Sequence, residues 1–127
     1  MKNRRLEMVK EIKKHFERLD VAYRDFKEKP DEKNFNDLAM ECFQLTNYLI
    51  SWGERLVEEK NLEEPLTYAE LVDILERATI LTYHQGKVLK KAIYLRNLVA
   101  HEYYKISTEE LEQPYSSLKK LFNSLEL

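Results

Sequence analysis

Phe35, Leu38, Cys42, Leu45, Leu49, Trp52 and Leu56 follow one another at alternating steps of three and four residues without a miss. At 3.6 residues per turn this set falls on a single stripe of a helix, whereas the two-residue period of a strand would scatter it over both faces. Phe43, Ile50 and Val57 widen the stripe beyond a two-stranded seam, so this helix needs more than one neighbour. A second stripe, Val9, Ile12, Phe16, Leu19, Tyr23 and Phe26, predicts a helix from about residue 3 to 28, ended by Pro30 and Asp31. Two Gly and three Pro in 127 residues are too few to punctuate the turns of a sandwich or barrel, while Leu, Glu and Lys, all strong helix formers, fill 51 positions.

The rest of the chain continues the pattern. Asn61 to Pro65 is a polar break, after which Thr67-Tyr68-Ala69-Glu70 reads as a capping box opening a short helix through Leu71, Ile74, Leu75 and Ala78, ending near Thr79. Thr82-Tyr83-His84-Gln85 is a weaker box, followed by Val88, Leu89, Ala92, Leu95 and Val99 on a helix to about residue 102. Ser107-Thr108-Glu109-Glu110 opens a last segment with Leu118, Leu121 and Leu125 on its apolar side, which Pro114 either kinks or restarts. The expected fold is all-α: an antiparallel four-helix bundle with an additional C-terminal helical segment, in one domain spanning residues 1–127.

A formal charge of −2 argues against a strongly basic nucleic-acid binder, but the total hides two opposed segments. Residues 54–76 carry eight acids against Arg55 and Lys60, net −6. Residues 82–105 carry Lys87, Lys90, Lys91, Arg96 and Lys105 against Glu102, net +4. The four lysines are the candidate RNA-binding patch; the plainer reading is a solvated helix face. Cys42, the single cysteine, sits in an apolar run and reads as a core residue in a reducing compartment. Met1 to Lys14 mixes charges with apolar residues and lacks a signal or membrane stretch, so a cytoplasmic protein without membrane contact is expected. Three His and one Cys without ligand spacing give no metal signature, and Gly53 and Gly86 open no phosphate-binding loop, so no cofactor is expected.

The densest chemistry runs from Tyr94 to Ile106, where Arg96, Asn97, His101, Tyr103 and Tyr104 stand within nine positions. On an ideal helix Asn97, His101 and Tyr104 share a face and Tyr103 stands near Arg96, while Arg96 and His101 diverge by about 140°. They flank one target only if Arg96 reaches round or a second chain completes the site. An imidazole that gains and loses a proton near neutrality, beside a fixed guanidinium, suits phosphodiester cleavage in RNA, which brings its own 2′-OH nucleophile. The residues alone also allow a structural reading: Arg96 paired with a carboxylate, His101 hydrogen-bonded, and the tyrosines in core or interface.

The run Arg96-Asn97-Leu98-Val99-Ala100-His101-Glu102-Tyr103 resembles the R-x4-H-x-Y motif of HepT-like toxins, a branch of the HEPN superfamily of helical ribonucleases. Cys42 to Ile50, with Asn47 at an expected asparagine, and then Pro65, Tyr68, Glu70 and Leu75 are similar in order and spacing to the family's second and third helices, so the likeness covers about residues 35 to 110. The chain departs from the pattern at Gln44, where an aspartate is usual, at Leu95, where an aromatic is common, and at Ala100, where a bulkier aliphatic is usual. The resemblance implies a homodimer with its cleft between two motif helices, metal-free cleavage of RNA such as tRNA or mRNA, and a nucleotidyltransferase antitoxin that adenylylates the motif tyrosine. It assigns catalysis to Arg96 and His101, support of His101 to Asn97 and modification to Tyr103. The alternative is a non-catalytic helical partner or substrate-binding subunit of such a nucleotidyltransferase.

Overall fold

The structure, a computed structural model, describes residues 2–101 and 107–125. Among them are five helices and no strand: α1 (Lys2–Glu28), α2 (Glu32–Glu59), α3 (Tyr68–Arg77), α4 (Tyr83–His101) and α5 (Thr108–Ser124). The α1–α2 corner is closed by two short polar side chains. Asp31 Oδ1 accepts from the Asn34 backbone N–H at 2.8 Å, capping α2, while Asn34 Nδ2 donates to the Lys29 carbonyl at 2.8 Å beside the end of α1.

Of the expected capping boxes, those at Thr67 and Thr82 form, with a difference. At α4 the box is reciprocal: Gln85 N–H donates to Thr82 Oγ1 at 3.1 Å and Thr82 N–H to Gln85 Oε1 at 2.9 Å. At α3 Thr67 Oγ1 accepts from Glu70 N–H at 3.0 Å, but the Glu70 carboxylate reaches one residue further back, to Leu66 N–H at 3.3 Å. The C-termini of α2 and α3 end alike without glycine. Asn61 and Thr79 hold φ of 52° and 59°, and in each case the next residue's N–H turns back to a carbonyl five positions earlier, Leu62 to Val57 and Ile80 to Leu75, both at 2.9 Å. Asn tolerates this left-handed conformation, but a β-branched threonine is strained in it.

α2 lies at the centre, packed against every other helix, with Leu38, Leu45 and Leu49 buried on one side and Ile50, Trp52 and Val57 widening the contact. α1, α2, α4 and α5 touch in a closed ring, and α3 rests on α2 and α4. The fold is all-α with five helices, as expected; α5 closes the ring and the short α3 packs outside it. Leu118 and Leu121 are buried, Phe122 stacks on Phe16 with ring centres 4.4 Å apart, and Gln85 Nε2 donates to Ser124 Oγ at 2.9 Å, tying the start of α4 to the end of α5. One helix spans Pro114, so the chain does not restart there. The two glycines sit where α3 approaches closely: a Cβ at Gly53 would stand 3.0 Å from Leu75 Cδ1, and one at Gly86 would run into the Glu76 carboxylate.

Cys42 is buried in the α2 stripe, as expected of a core residue. Burial, helped by the neighbouring Glu41 carboxylate, pushes its thiol up to about 12, so it is inert at neutral pH. No helix among the described residues is long and apolar enough to cross a membrane.

Candidate functional site

Arg96 leaves the last third of α4 and turns towards α2. Its Nε donates to Asn47 Oδ1 at 2.6 Å and its Nη1 to Asn97 Oδ1 at 2.9 Å. The guanidinium carbon lies 5.5 Å from the centre of the Phe43 ring and 5.2 Å from that of Tyr68, within reach of both π-faces. Phe43 and Asn47 are one helical turn apart on α2, Tyr68 begins α3, and Asn97 adjoins Arg96 on α4, so three helices fix one half-buried side chain. Because guanidinium only donates, both amides must present oxygen to it. No carboxylate pairs with Arg96 among the described residues. Neutral oxygens orient the cation without cancelling its charge, which remains available to an incoming anion.

His101 is the last described residue of α4 and is exposed, with no hydrogen bond or ion pair among the described residues. Asn97 gives its oxygen to Arg96 and not to His101, so support of the imidazole by Asn97 is not seen in the single chain. Tyr103, expected to carry a modification, and Lys105 of the expected basic patch lie outside the described residues. Of the remaining lysines, Lys90 is committed: its Nζ donates to Asp73 on α3 at 2.6 Å, and this bond, with the charges of Asp73 and Glu76, holds its ammonium above the usual lysine range. Lys87 lies over the Tyr83 ring at 4.5 Å, and Lys91 is exposed. Tyr83, Lys87, Lys90, Tyr94, Asn97 and His101 nevertheless recur at steps of four and three along α4, and all are exposed. They form an exposed face of aromatics, cations, one amide and one imidazole, which α3 meets at Lys90.

Asn47, Phe43 and Tyr68 hold Arg96, a role that no single helix's spacing assigns. Beside them a cavity of 670 Å³ opens between α4 and the α2–α3 connection, its wall including Glu54, Leu66, Thr67, Tyr68, Ile93 and Asn97. Its wall comes from three helices and a loop, which hides it from a reading of local pattern. Among the described residues no three His, Cys, Asp or Glu side chains stand close enough to hold a metal ion.

The described residues thus form an all-helical bundle in which amide oxygens orient Arg96 five residues before an exposed His101. The particular family follows from the sequence match: the model described as Ribonuclease HepT-like covers residues 5–125, and the chain belongs to the HepT-like ribonuclease family. Solved structures share the fold at low identity. A toxin-antitoxin with AMP-PNP superposes with a TM-score of 0.82 at 15% identity, covering 94% of this chain and 95% of that one. The tri-AMPylated Shewanella oneidensis HEPN toxin in complex with MNT antitoxin gives 0.75 at 19% identity, over 91% and 96% of the two chains. YutE, a cytosolic protein of unknown function from Bacillus subtilis, gives 0.71 at 20% identity, over 90% and 82%. No curated protein matches the chain.

Proposed function

We propose that the chain is the endoribonuclease toxin of a toxin–antitoxin pair, that it cleaves RNA without a metal ion, and that a nucleotidyltransferase partner silences it by adenylylating Tyr103. The observation that carries this reading is Arg96, held by the oxygens of Asn47 and Asn97 with no carboxylate partner among the described residues, in a chain of the HepT-like ribonuclease family. The fold neighbours that are toxin-antitoxin complexes, one of them AMPylated, support the partner and the modification.

In this mechanism His101 takes the proton of the 2′-OH, the 2′-oxygen attacks the adjacent phosphorus, and the bond to the 5′-oxygen breaks as that oxygen gains a proton. The products are a 2′,3′-cyclic phosphate and a 5′-hydroxyl. Arg96 binds the phosphoryl oxygens as their charge grows. The imidazole is exposed and has no partner among the described residues, so we place it in a cleft between two copies, each α4 facing the other across a two-fold axis. AMP on Tyr103 would set anions beside Arg96 and compete with the RNA phosphate. Light scattering should therefore report a dimer in a cytoplasmic protein.

Incubation with total RNA and tRNA tests the reading. Arg96→Ala and His101→Ala should each abolish cleavage with helical circular dichroism unchanged, and chelator should leave the wild-type rate intact. Cleavage surviving His101→Ala, or lost with chelator, refutes the mechanism. The pairing of Lys90 with Asp73 shrinks the basic footprint and favours the second reading, a non-catalytic binding partner of the nucleotidyltransferase, which predicts no cleavage and an unchanged complex with that partner.

A further inference from the structure

The cavity beside Arg96 shares two walls with the arginine's own clamp. Asn97 lines the cavity and accepts from Arg96 Nη1; Tyr68 lines it and carries the guanidinium 5.2 Å from its ring centre. A phosphate bound by Arg96 would thus adjoin two residues of the cavity wall. At 670 Å³ the space falls in the size range of small-ligand sites. Its apolar wall includes Ile93 and Leu66, the latter 88% exposed, so an apolar side chain that could be covered by a flat ring is left in water. The polar side chains on the wall are those of Glu54, Thr67, Tyr68 and Asn97. Glu54 makes no ion pair among the described residues.

Resting on the nuclease reading above, we propose that this cavity receives the nucleobase adjoining the phosphate on Arg96, and that Glu54 selects guanine. A carboxylate accepts two parallel hydrogen bonds. Guanine presents two neighbouring donors, N1–H and the N2 amino group, on one edge. Adenine and cytosine each set one amino donor beside an acceptor that the carboxylate repels, and uracil sets one donor between two acceptors. Such an edge is readable in single-stranded RNA, where bases are splayed out and stack on aromatic side chains such as Tyr68. The proposal thus gives the acidic α2–α3 region a part in recognising an anionic polymer: the phosphate is held by the cation, the base by the anion next to it.

The test uses uncleavable 2′-O-methyl trinucleotides UGU, UAU, UCU and UUU, titrated into the full-length protein by fluorescence anisotropy. The wild type should bind UGU about tenfold or more tighter than the others. Glu54→Gln, an exposed isosteric change, should erase most of that preference, and Ala69→Trp, which narrows the cavity from α3, should weaken UGU most and bring the four sequences together. Equal binding of the four sequences by the wild type, or a guanine preference that survives Glu54→Gln, overturns the proposal. So does loss of the dimer in Ala69→Trp, which would assign the cavity to a second copy. The two readings fail separately: guanine-selective binding without cleavage overturns only the nuclease, whereas Arg96-dependent cleavage indifferent to Glu54→Gln overturns only the base pocket.

Discussion

Asn47 offers the sharpest test of how Arg96 works. Its Oδ1 accepts from Arg96 Nε at 2.6 Å in a half-buried position, a hydrogen bond to a charged group worth about 1.5–3 kcal/mol. In Asn47→Ala the guanidinium loses its tether to α2 and keeps only Asn97 and the two rings, so its transition-state contact loosens. A loss of about 1.5–3 kcal/mol there corresponds to roughly a ten- to hundredfold fall in kcat/KM. Asn47→Asp separates orientation from charge. A carboxylate at the same place would hold Arg96 at least as firmly, with an attraction on the order of 4 kcal/mol at 4 Å in a half-buried setting. It would also neutralise the cation, so binding of RNA phosphate should weaken although the fold becomes no less stable. Steady-state cleavage of a fluorescent oligoribonucleotide, paired with urea melts of each variant, reads both quantities. If Asn47→Asp cleaves as well as the wild type, the uncompensated charge of Arg96 is not what the site uses, and the reasoning fails.

Three further outcomes follow from the packing. Leu118→Ala should cost about 2–5 kcal/mol in urea unfolding, as a cavity at a fully buried bundle position, whereas a loss under 1 kcal/mol would show α5 to be a mere appendage. Thr79→Gly should stabilise by about 0.5–1 kcal/mol, because glycine accepts the φ of 59° that strains a β-branched residue; a lower midpoint would contradict that strain. The Cys42 thiol rises from 9.0 to about 12 on folding, so the unfolded chain ionises first; stability is intact below about pH 9 and falls by up to about 1.4 kcal/mol per unit above it. Cys42→Ala should lose that part of the alkaline slope, and equal slopes in the two proteins would exclude the thiol as its source.

The helices were legible because each carries its own periodicity. An unbroken three-four stripe in α2 and capping boxes at Thr67 and Thr82 need no knowledge of the partner. The same is true of Arg96 and His101, whose spacing lies within one helix. Which helices close the bundle is a different kind of fact. The apolar side of α5 has no address in its own residues, and only the burial of Leu118 and Leu121 shows that it closes the ring with α1, α2 and α4. The left-handed turn at Thr79 left no glycine to mark it, since the packing of α3 on α2 and α4 holds a conformation that local preference disfavours. The clamp on Arg96 joins Asn47 to a residue 49 positions later, and the cavity beside it is walled by α2, α3, α4 and a loop. Periodicity follows from interactions between neighbours in sequence, and so can be read from the sequence alone; a hydrogen bond or a cavity between distant segments exists only once packing has brought them together.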